Sequence, residues 1–493
     1  MDEKRAKMTD INELKQTEAF KYFFEICKIP HGSENTGKIS KYIVNFAKEK
    51  NLRYVSDEAG NVVIFKPASK GYENASPVIL QGHIDMVCVK TPESTKDLEK
   101  EAVEPFVADG FVMAKDTSLG GDDGIAVSYM LALLESENLS HPALECVFTV
   151  DEEIGLIGAN KLDTSILKGK TLINLDSEEE GIFTVSCAGG ATVTCDFFVL
   201  KAITTAYVAD IYLSGFTGGH SGSDIIFGRQ NGIVAMGRIL LMLSKKVKYN
   251  LVYLEGGDKD NAIPTWSRAG IAFYDANDEK KIRDIVNKVF ADIKNESENT
   301  DKKMSVDVSF MSENNEVSVM TNKDTAAVIT AINAIPNGVI KMSSEVKDFV
   351  VTSLNLGVMM CGNGAVSLVY SVRSSVSTEK EYLINRLEAI TSCLDGRINV
   401  KGEYPGWKYN ENSKIKEVFK KCYKNQTGKD ALVLGIHAGL ECGIFVEKIN
   451  DLDAISIGPD MLNVHTVNEK LSVESALRTY ELIKSVLKEL KSE

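Results

Sequence analysis

Ile39, Ile43 and Phe46 recur four and three residues apart, the spacing that gathers apolar side chains on one face of a helix. They fall in the second of two helices predicted over residues 11–50, which break at Ile29-Pro30-His31-Gly32, with Ser33 or Asn35 capping the second. The pattern then shortens. Apolar runs at 61–66 and 77–82 read as strands, the latter leading straight into His83-Ile84-Asp85. Asp109-Gly110 between apolar runs predicts a hairpin. Residues 124–137 read as an apolar helix, and 144–150 and 172–175 as strands ending in Asp151-Glu152-Glu153 and Asp176. Strands alternating with helices predict an α/β domain around a mixed, largely parallel sheet. In such sheets ligands collect beyond the carboxyl ends of the strands.

From about Cys187 the character changes. A strand at 207–213, a loop at 214–222, a helix at 223–243, a strand at 271–274 and a helix at 279–295 form one pass. Strands at 305–311 and 317–320, a helix at 325–335, a strand at 366–372 and a helix at 378–394 form a comparable second pass. The pattern predicts an inserted α+β domain that is internally duplicated, on periodicity alone. After about Lys401 the α/β pattern returns, with a helix near 413–426, strands at 432–434 and 454–457, and a helix at 472–490. The expected division is one catalytic domain in two segments, 1–186 and 400–493, interrupted by a second domain at 187–399.

Composition narrows the classes. Of 493 residues, 44% are hydrophobic and 26% charged, as in ordinary globular chains. The net charge of −14 argues against a nucleic-acid partner, which needs a basic face. Nine scattered cysteines without a C-x-x-C pair speak against a disulfide framework or a zinc ribbon. The charged opening MDEKRAKMTDINELKQ lacks the apolar core of a signal peptide, and no run nears the length of a membrane span. A cytoplasmic protein with no membrane partner is expected.

Candidate chemistry sits just after predicted strands: His83, Glu152, Glu153 and Asp176, with Asp122 in LGGDDG and His465 near the end of the chain. Imidazole and carboxylate without thiolate suit two adjacent divalent ions such as zinc, cobalt or manganese. A carboxylate between two cations offsets their repulsion, and such a pair activates a shared water. Neighbouring side chains at a strand end diverge, so one of Glu152 and Glu153 can bind metal while the other faces the water as a base. Each residue also has a plainer reading: a polar His, a solvated acidic loop, or helix capping by Asp122-Asp123. The combination at strand ends outweighs these.

The motifs GHIDM, LGGDDGIA, TVDEEIGLIGA, LINLDSEEEG, GGHSG, NAIP, TSLNLG, YPGW, HAGLECG and a final GP–H–NE segment occur in this order between Ile29 and Glu469. In this the chain resembles the aminoacyl-histidine (Xaa-His) or cytosolic non-specific dipeptidases, of the two-zinc metallopeptidase superfamily that includes glutamate carboxypeptidase and aminoacylase. The resemblance implies two divalent ions per chain, first of all zinc. His83 and Asp176 would hold one and Glu153 and His465 the other, with Asp122 bridging them. Asp85 would orient the His83 imidazole. Glu152 would take a proton from the metal-bridged water and pass it to the leaving amine. His220 of GGHSG would donate to the oxyanion, and Asn261, Arg373 and Gly439 would hold the substrate, Arg373 through its free carboxylate. His437 is balanced between lining the pocket and supporting its loop, and residues 404–407 read as a packing turn.

The implied activity is hydrolysis of unblocked dipeptides, Xaa-His types such as β-alanyl-histidine included. The alternatives are an N-acyl-amino-acid deacylase, a carboxypeptidase or a non-catalytic binding homologue. A homodimer stays open: in relatives with a single-copy lid the lid His serves the site of a dimer mate, a part that a second copy within one chain could imitate. Three departures from the family pattern, at Val351, Thr265-Trp266 and Thr466-Val467, leave the ligands and base untouched and bear on preference for a C-terminal His.

Overall fold

Strands Val78–His83 and Leu144–Thr149 are buried at every residue, as strands covered on both faces must be, and neither alternates in sequence. They lie side by side in parallel. The computed structural model that contains them describes residues 10–297, 300–311 and 313–491. It divides into two units: one takes the chain up to Ser186 with Tyr409–Gly435 and Leu440 onward, the other takes Cys187–Lys408 with Ile436–Gly439.

The first unit is built on an eight-stranded sheet in the order Arg53–Ser56, Val62–Lys66, Leu144–Thr149, Val78–His83, Thr171–Asn174, Asp453–Ser456, Ile182–Cys187 and Leu432–Ile436. The sheet is mixed. Leu144–Thr149, Val78–His83, Thr171–Asn174 and Asp453–Ser456 run parallel at its centre, and antiparallel strands flank them. Parallel neighbours end on the same side, so the segments after His83, Thr149 and Asn174 emerge together. Helix Gly121–Glu135 is buried from Gly121 to Leu134, which is why it reads as apolar all round. Helix Gly37–Glu49 buries Ile39, Ile43 and Phe46. Its cap is Thr36, with no side-chain bond; the expected caps have other partners, Ser33 Oγ donating to Asp85 Oδ2 at 2.8 Å and Asn35 Nδ2 to the Glu99 carbonyl at 2.9 Å. The Asp109-Gly110 turn joins Pro105–Ala108 to Phe111–Ala114 as an antiparallel pair.

The second unit is built on a ten-stranded sheet in which every recorded pairing is antiparallel. Its main order is Ser305–Phe310, Lys201–Ser214, Ser267–Phe273, Tyr249–Gly256, Val350–Gly362, Ala365–Ser374, Gly189–Phe198 and Arg397–Tyr404. The sheet reads alike from both edges: an edge strand that follows a helix, a long strand, then the later and the earlier strand of a consecutive pair. Helices Gly232–Ser244, Asp278–Glu296, Asn322–Ala334 and Ser377–Cys393 share one apolar core with it. The strands at Ser305–Phe310 and Asn315–Met320 both pair with Lys201–Ser214, so they extend the first pass rather than open the second. The inner strand of the second half is Gly189–Phe198, which precedes the first half in sequence. Arg397–Tyr404 pairs with that strand, which keeps the chain in this unit as far as Lys408, beyond the expected return near residue 400. The helix expected from residue 223 begins at Gly232, because Gly228 turns left-handed (φ 61°) and Asn231 caps Ile233 N and Val234 N.

Candidate metal centre

Two imidazoles face opposite oxygens of one carboxylate. His83, 1% exposed at the end of its strand, places Nε2 3.0 Å from Asp122 Oδ1 and 3.7 Å from Asp176 Oδ1. His465 places Nε2 3.1 Å from Asp122 Oδ2 and 2.9 Å from Glu153 Oε1. Glu153 and Asp176 come from the loops after the two parallel strands that flank Val78–His83, and His465 from the loop after Met461–Leu462, with φ +62°. Asp122 lies in the first turn of helix Gly121–Glu135 but departs from helical geometry (ψ 107°), and its peptide bond to Asp123 is cis. The ligand atoms of His83, Asp122 and Glu153, and of His83, Asp123 and Asp176, fall within 4.8 Å of one another. Gly82 makes room for this: a Cβ there would lie 2.5 Å from Asp123 Oδ2 and 2.9 Å from the Ala126 methyl. That oxygen accepts the His83 backbone N–H at 3.2 Å.

The charges call for a cation. Among the described residues no lysine or arginine forms an ion pair with Asp122, Asp123, Glu152, Glu153 or Asp176; only His83, against Asp122 and Asp176, and His465, against Asp122 and Glu153, do so. Burial, with the neighbouring Asp176, Glu441 and Glu153 carboxylates, pushes Glu152 well above the usual carboxylate range against the pull of His83. Burial likewise lifts Asp176 to about 6 and Glu178 to about 7, with Asp122 adding to both. Against its own burial, hydrogen bonds from His465 and His83 hold Asp122 well below that range, and bonds to Asp122 and Glu153 raise His465 to about 11. Asp123 is fully buried and its Oδ1 has no hydrogen-bond partner. An unscreened buried carboxylate is costly unless protonated or paired. Oxygen and imidazole donors at these separations fit divalent ions of the zinc, cobalt or manganese type.

Asp85 does more than meet His83. The His83 Nδ1 lies 3.0 Å from the Asp85 carbonyl oxygen and 3.5 Å from its carboxylate. The carboxylate itself accepts from Glu152 N at 3.0 Å, Glu153 N at 3.4 Å and Ser33 Oγ at 2.8 Å. It therefore ties the loop bearing the two glutamates to the loop after His83. Beneath lies a polar thread: Glu441, fully buried, accepts from Thr149 Oγ1 at 2.8 Å and from Gln81 Nε2, while Gln81 Oε1 accepts from Asn174 Nδ2 at 2.7 Å. Burial lifts Glu441 to about 7. Beside Glu153 opens a cavity of about 580 Å³, lined in part by Ser33, Met86, Cys88 and Ile154.

His220, Asn261, Arg373 and Gly439 all belong to the second unit. His220 pairs with Ala262 in a two-stranded ribbon, and Ser221 N donates to the Asn261 carbonyl at 2.8 Å. Arg373 is 7% exposed, donates to Tyr404 Oη at 3.1 Å, and keeps a buried Nε without a partner. Gly439 lies against Tyr404: a Cβ there would sit 2.9 Å from the ring. Ser353, the cross-strand neighbour of Arg373, meets His437 Nε2 at 2.7 Å. Burial and the Arg373 charge push His437 down to about 3, and His220 is lowered for the same reasons. Asp123, Ser353 and the Tyr404 hydroxyl are not readable from sequence as residues near the site. Asp123 reads as the second half of an acidic pair, and Tyr404 as part of a turn. Glu441, a lone acid in an otherwise apolar helix start, was the one visible signal.

The sequence matches the description "Peptidase family M20/M25/M40" over residues 79–489. It is 34% identical over 485 residues to the cytosol non-specific dipeptidase of Escherichia coli, covering 98% of this chain and 99% of that one. The crystal structure of aminoacylhistidine dipeptidase from Vibrio alginolyticus superposes with a TM-score of 0.92 at 32% identity, over 99% of each chain. A tripeptidase from Staphylococcus aureus superposes at 0.54 with 17% identity, over 97% of this chain and 98% of that one, a likeness of fold alone.

Proposed function

This chain belongs to peptidase family M20/M25/M40, and we propose that it is a metallodipeptidase that hydrolyses unblocked dipeptides with two divalent ions, Xaa-His types such as β-alanyl-histidine among its substrates. The observation that carries this reading is Asp122 with one oxygen toward His83 and the other toward His465, at 3.0 and 3.1 Å. Full-length similarity to a cytosol non-specific dipeptidase and an aminoacylhistidine dipeptidase supports the reaction and the substrate class.

His83 and Asp176 would hold one ion, Glu153 and His465 the other, and Asp122 would contact both. Bound there, the ions supply Lewis acidity toward a water and toward the scissile carbonyl. Glu152 stands beside the ligands without pairing with either imidazole, which suits it to remove a proton from the attacking water and deliver it to the leaving amine. Asp85 would keep Glu152 aimed by holding its backbone N–H. His220 would donate to the oxyanion, and the buried fork of Arg373 would take the free carboxylate of the dipeptide, with Asn261 and Gly439 beside it. The cavity beside Glu153 is large enough for the acyl residue. In this reading the second unit is the lid and the first the catalytic domain.

Zinc is the expected ion, with cobalt and manganese to be compared. The expected location is the cytoplasm; no helix among the described residues is long and apolar enough to cross a membrane. The test is a panel of free dipeptides, acetylated amino acids and tripeptides, run after chelation and after adding back each metal. Dipeptide turnover that chelation abolishes and metal restores supports the reading. Turnover confined to acetylated amino acids or tripeptides refutes it. Mixing His220→Ala with Glu152→Ala protein reports whether a homodimer shares sites: recovered activity means that His220 serves a partner's site.

A further inference from the structure

Glu469 lies four residues beyond His465 and is 4% exposed, yet among the described residues its carboxylate forms no ion pair or hydrogen bond with a proposed ligand side chain. Its carboxylate instead receives four backbone N–H groups in succession. Oε2 accepts from Leu119 N at 2.7 Å and Gly120 N at 3.1 Å, and Oε1 from Gly121 N at 2.7 Å and Asp122 N at 3.4 Å. Each carboxylate oxygen thus receives two backbone donors, the number its lone pairs can accept. The groups it binds are the amides at the start of helix Gly121–Glu135, where N–H groups lack partners within the helix and a negative charge is favoured. Two glycines leave the room: Gly120 is left-handed (φ +71°) with a Cβ position only 2.7 Å from Met86 Sδ, and a Cβ on Gly121 would lie 3.1 Å from Glu469 Oε1.

The consequence concerns two segments far apart in sequence. The backbone of Asp122 is held by the same carboxylate whose chain carries His465, and the two side chains meet at 3.1 Å. A turn fixes the stretch between: Glu469 N donates to the Thr466 carbonyl at 3.3 Å, and Thr466 Oγ1 to the Asn463 carbonyl at 2.7 Å. His83 and Asp176 are presented by strand ends of the central sheet, without help from Glu469. We propose that Glu469 is a positioning residue that sets the register between Asp122 and His465, and so weighs more on the metal position made by His465 and Glu153 than on the one made by His83 and Asp176.

The inference rests on the two-ion reading above, and the test separates the two. Metal-free wild type, Glu469→Gln, Glu469→Asp and His465→Ala are titrated with cobalt by equilibrium dialysis, and the visible absorption of the bound ion is recorded. Gln keeps the shape but turns an NH2 toward two of the N–H donors. It should keep the first ion within about threefold of wild-type affinity and bind the second about 10–100-fold more weakly, the usual cost of losing a partner behind a ligand. The one-ion spectrum of Glu469→Gln should match that of His465→Ala. Glu469→Asp keeps the charge and should recover part of the second site; if the Gln variant does not fold, the Asp variant is read by the same criteria. Two ions bound at wild-type affinity, or both weakened in parallel, would overturn the role of Glu469. Wild type that takes up fewer than two ions would refute the two-ion reading itself.

Discussion

Replacing Asp85 by Ala removes an acceptor that two backbone N–H groups and one hydroxyl share, at 3.0, 3.4 and 2.8 Å. Asp85 is 1% exposed, so water does not simply take its place. A stranded buried N–H costs about 1–3 kcal/mol, which for Glu152 N and Glu153 N together makes about 2–6 kcal/mol. The loop can relax part of this by turning outward, which moves the Glu152 carboxylate away from the reacting bond. Taking the lower bound as loss of the competent arrangement, kcat should fall about 30-fold or more at 1.36 kcal/mol per decade. Asp85→Asn keeps one acceptor oxygen and should lose about tenfold. The assay is kcat on a saturating dipeptide, with metal content measured in parallel and hydrogen exchange followed over residues 150–156. Faster exchange in that segment with both ions retained is expected. A kcat within threefold of wild type would mean that Asp85 does not aim Glu152, and metal loss with unchanged exchange there would mean that it acts through His83 alone; either result refutes the argument.

Three further outcomes are expected. Glu152→Gln should keep both ions, measured by atomic absorption, while kcat drops about 10²–10⁴-fold, the usual worth of a general base; substantial residual turnover removes Glu152 from that role. Gly82→Ala should destabilise the metal-free protein by about 1–3 kcal/mol in urea unfolding, as overpacking does, because its Cβ would press on Asp123 Oδ2 at 2.5 Å; unchanged stability would mean that helix Gly121–Glu135 shifts freely. His437, pushed down to about 3 by burial and Arg373, stays neutral when folded, whereas the unfolded chain protonates near about 6.5. Between these values the unfolded state binds more protons, so the second unit loses stability as pH falls through that window. An imidazole signal of His437 that titrates above pH 6 by NMR would contradict this.

The reach of the sequence is clear at particular residues. Ile39, Ile43 and Phe46 face inward as their spacing requires, and the Asp109-Gly110 turn joins the strands it separates. Such features depend on neighbours a few residues away. Strand Val350–Gly362 escaped because it is buried on both faces over most of its length and so lacks a period of two. Strand Gly189–Phe198 joins a half of its sheet whose other strands all lie at residue 338 or beyond, a pairing that no local pattern encodes.

By itself the sequence determined which chemistry the chain carries: imidazole and carboxylate at the ends of apolar strands, in an order shared with a peptidase family. Residue type and hydrophobic period suffice for that. Only the tertiary structure decided which oxygen of Asp122 meets which imidazole, that the Asp85 carboxylate holds the Glu152 backbone, and that Glu469 gathers the amides of residues 119–122. Those contacts join segments 67 and 347 residues apart, and their geometry is set by the register of parallel strands and the start of a buried helix. A hydrogen bond across such a separation leaves no periodic trace in sequence, because it depends on where two backbones arrive in space rather than on what lies beside either one.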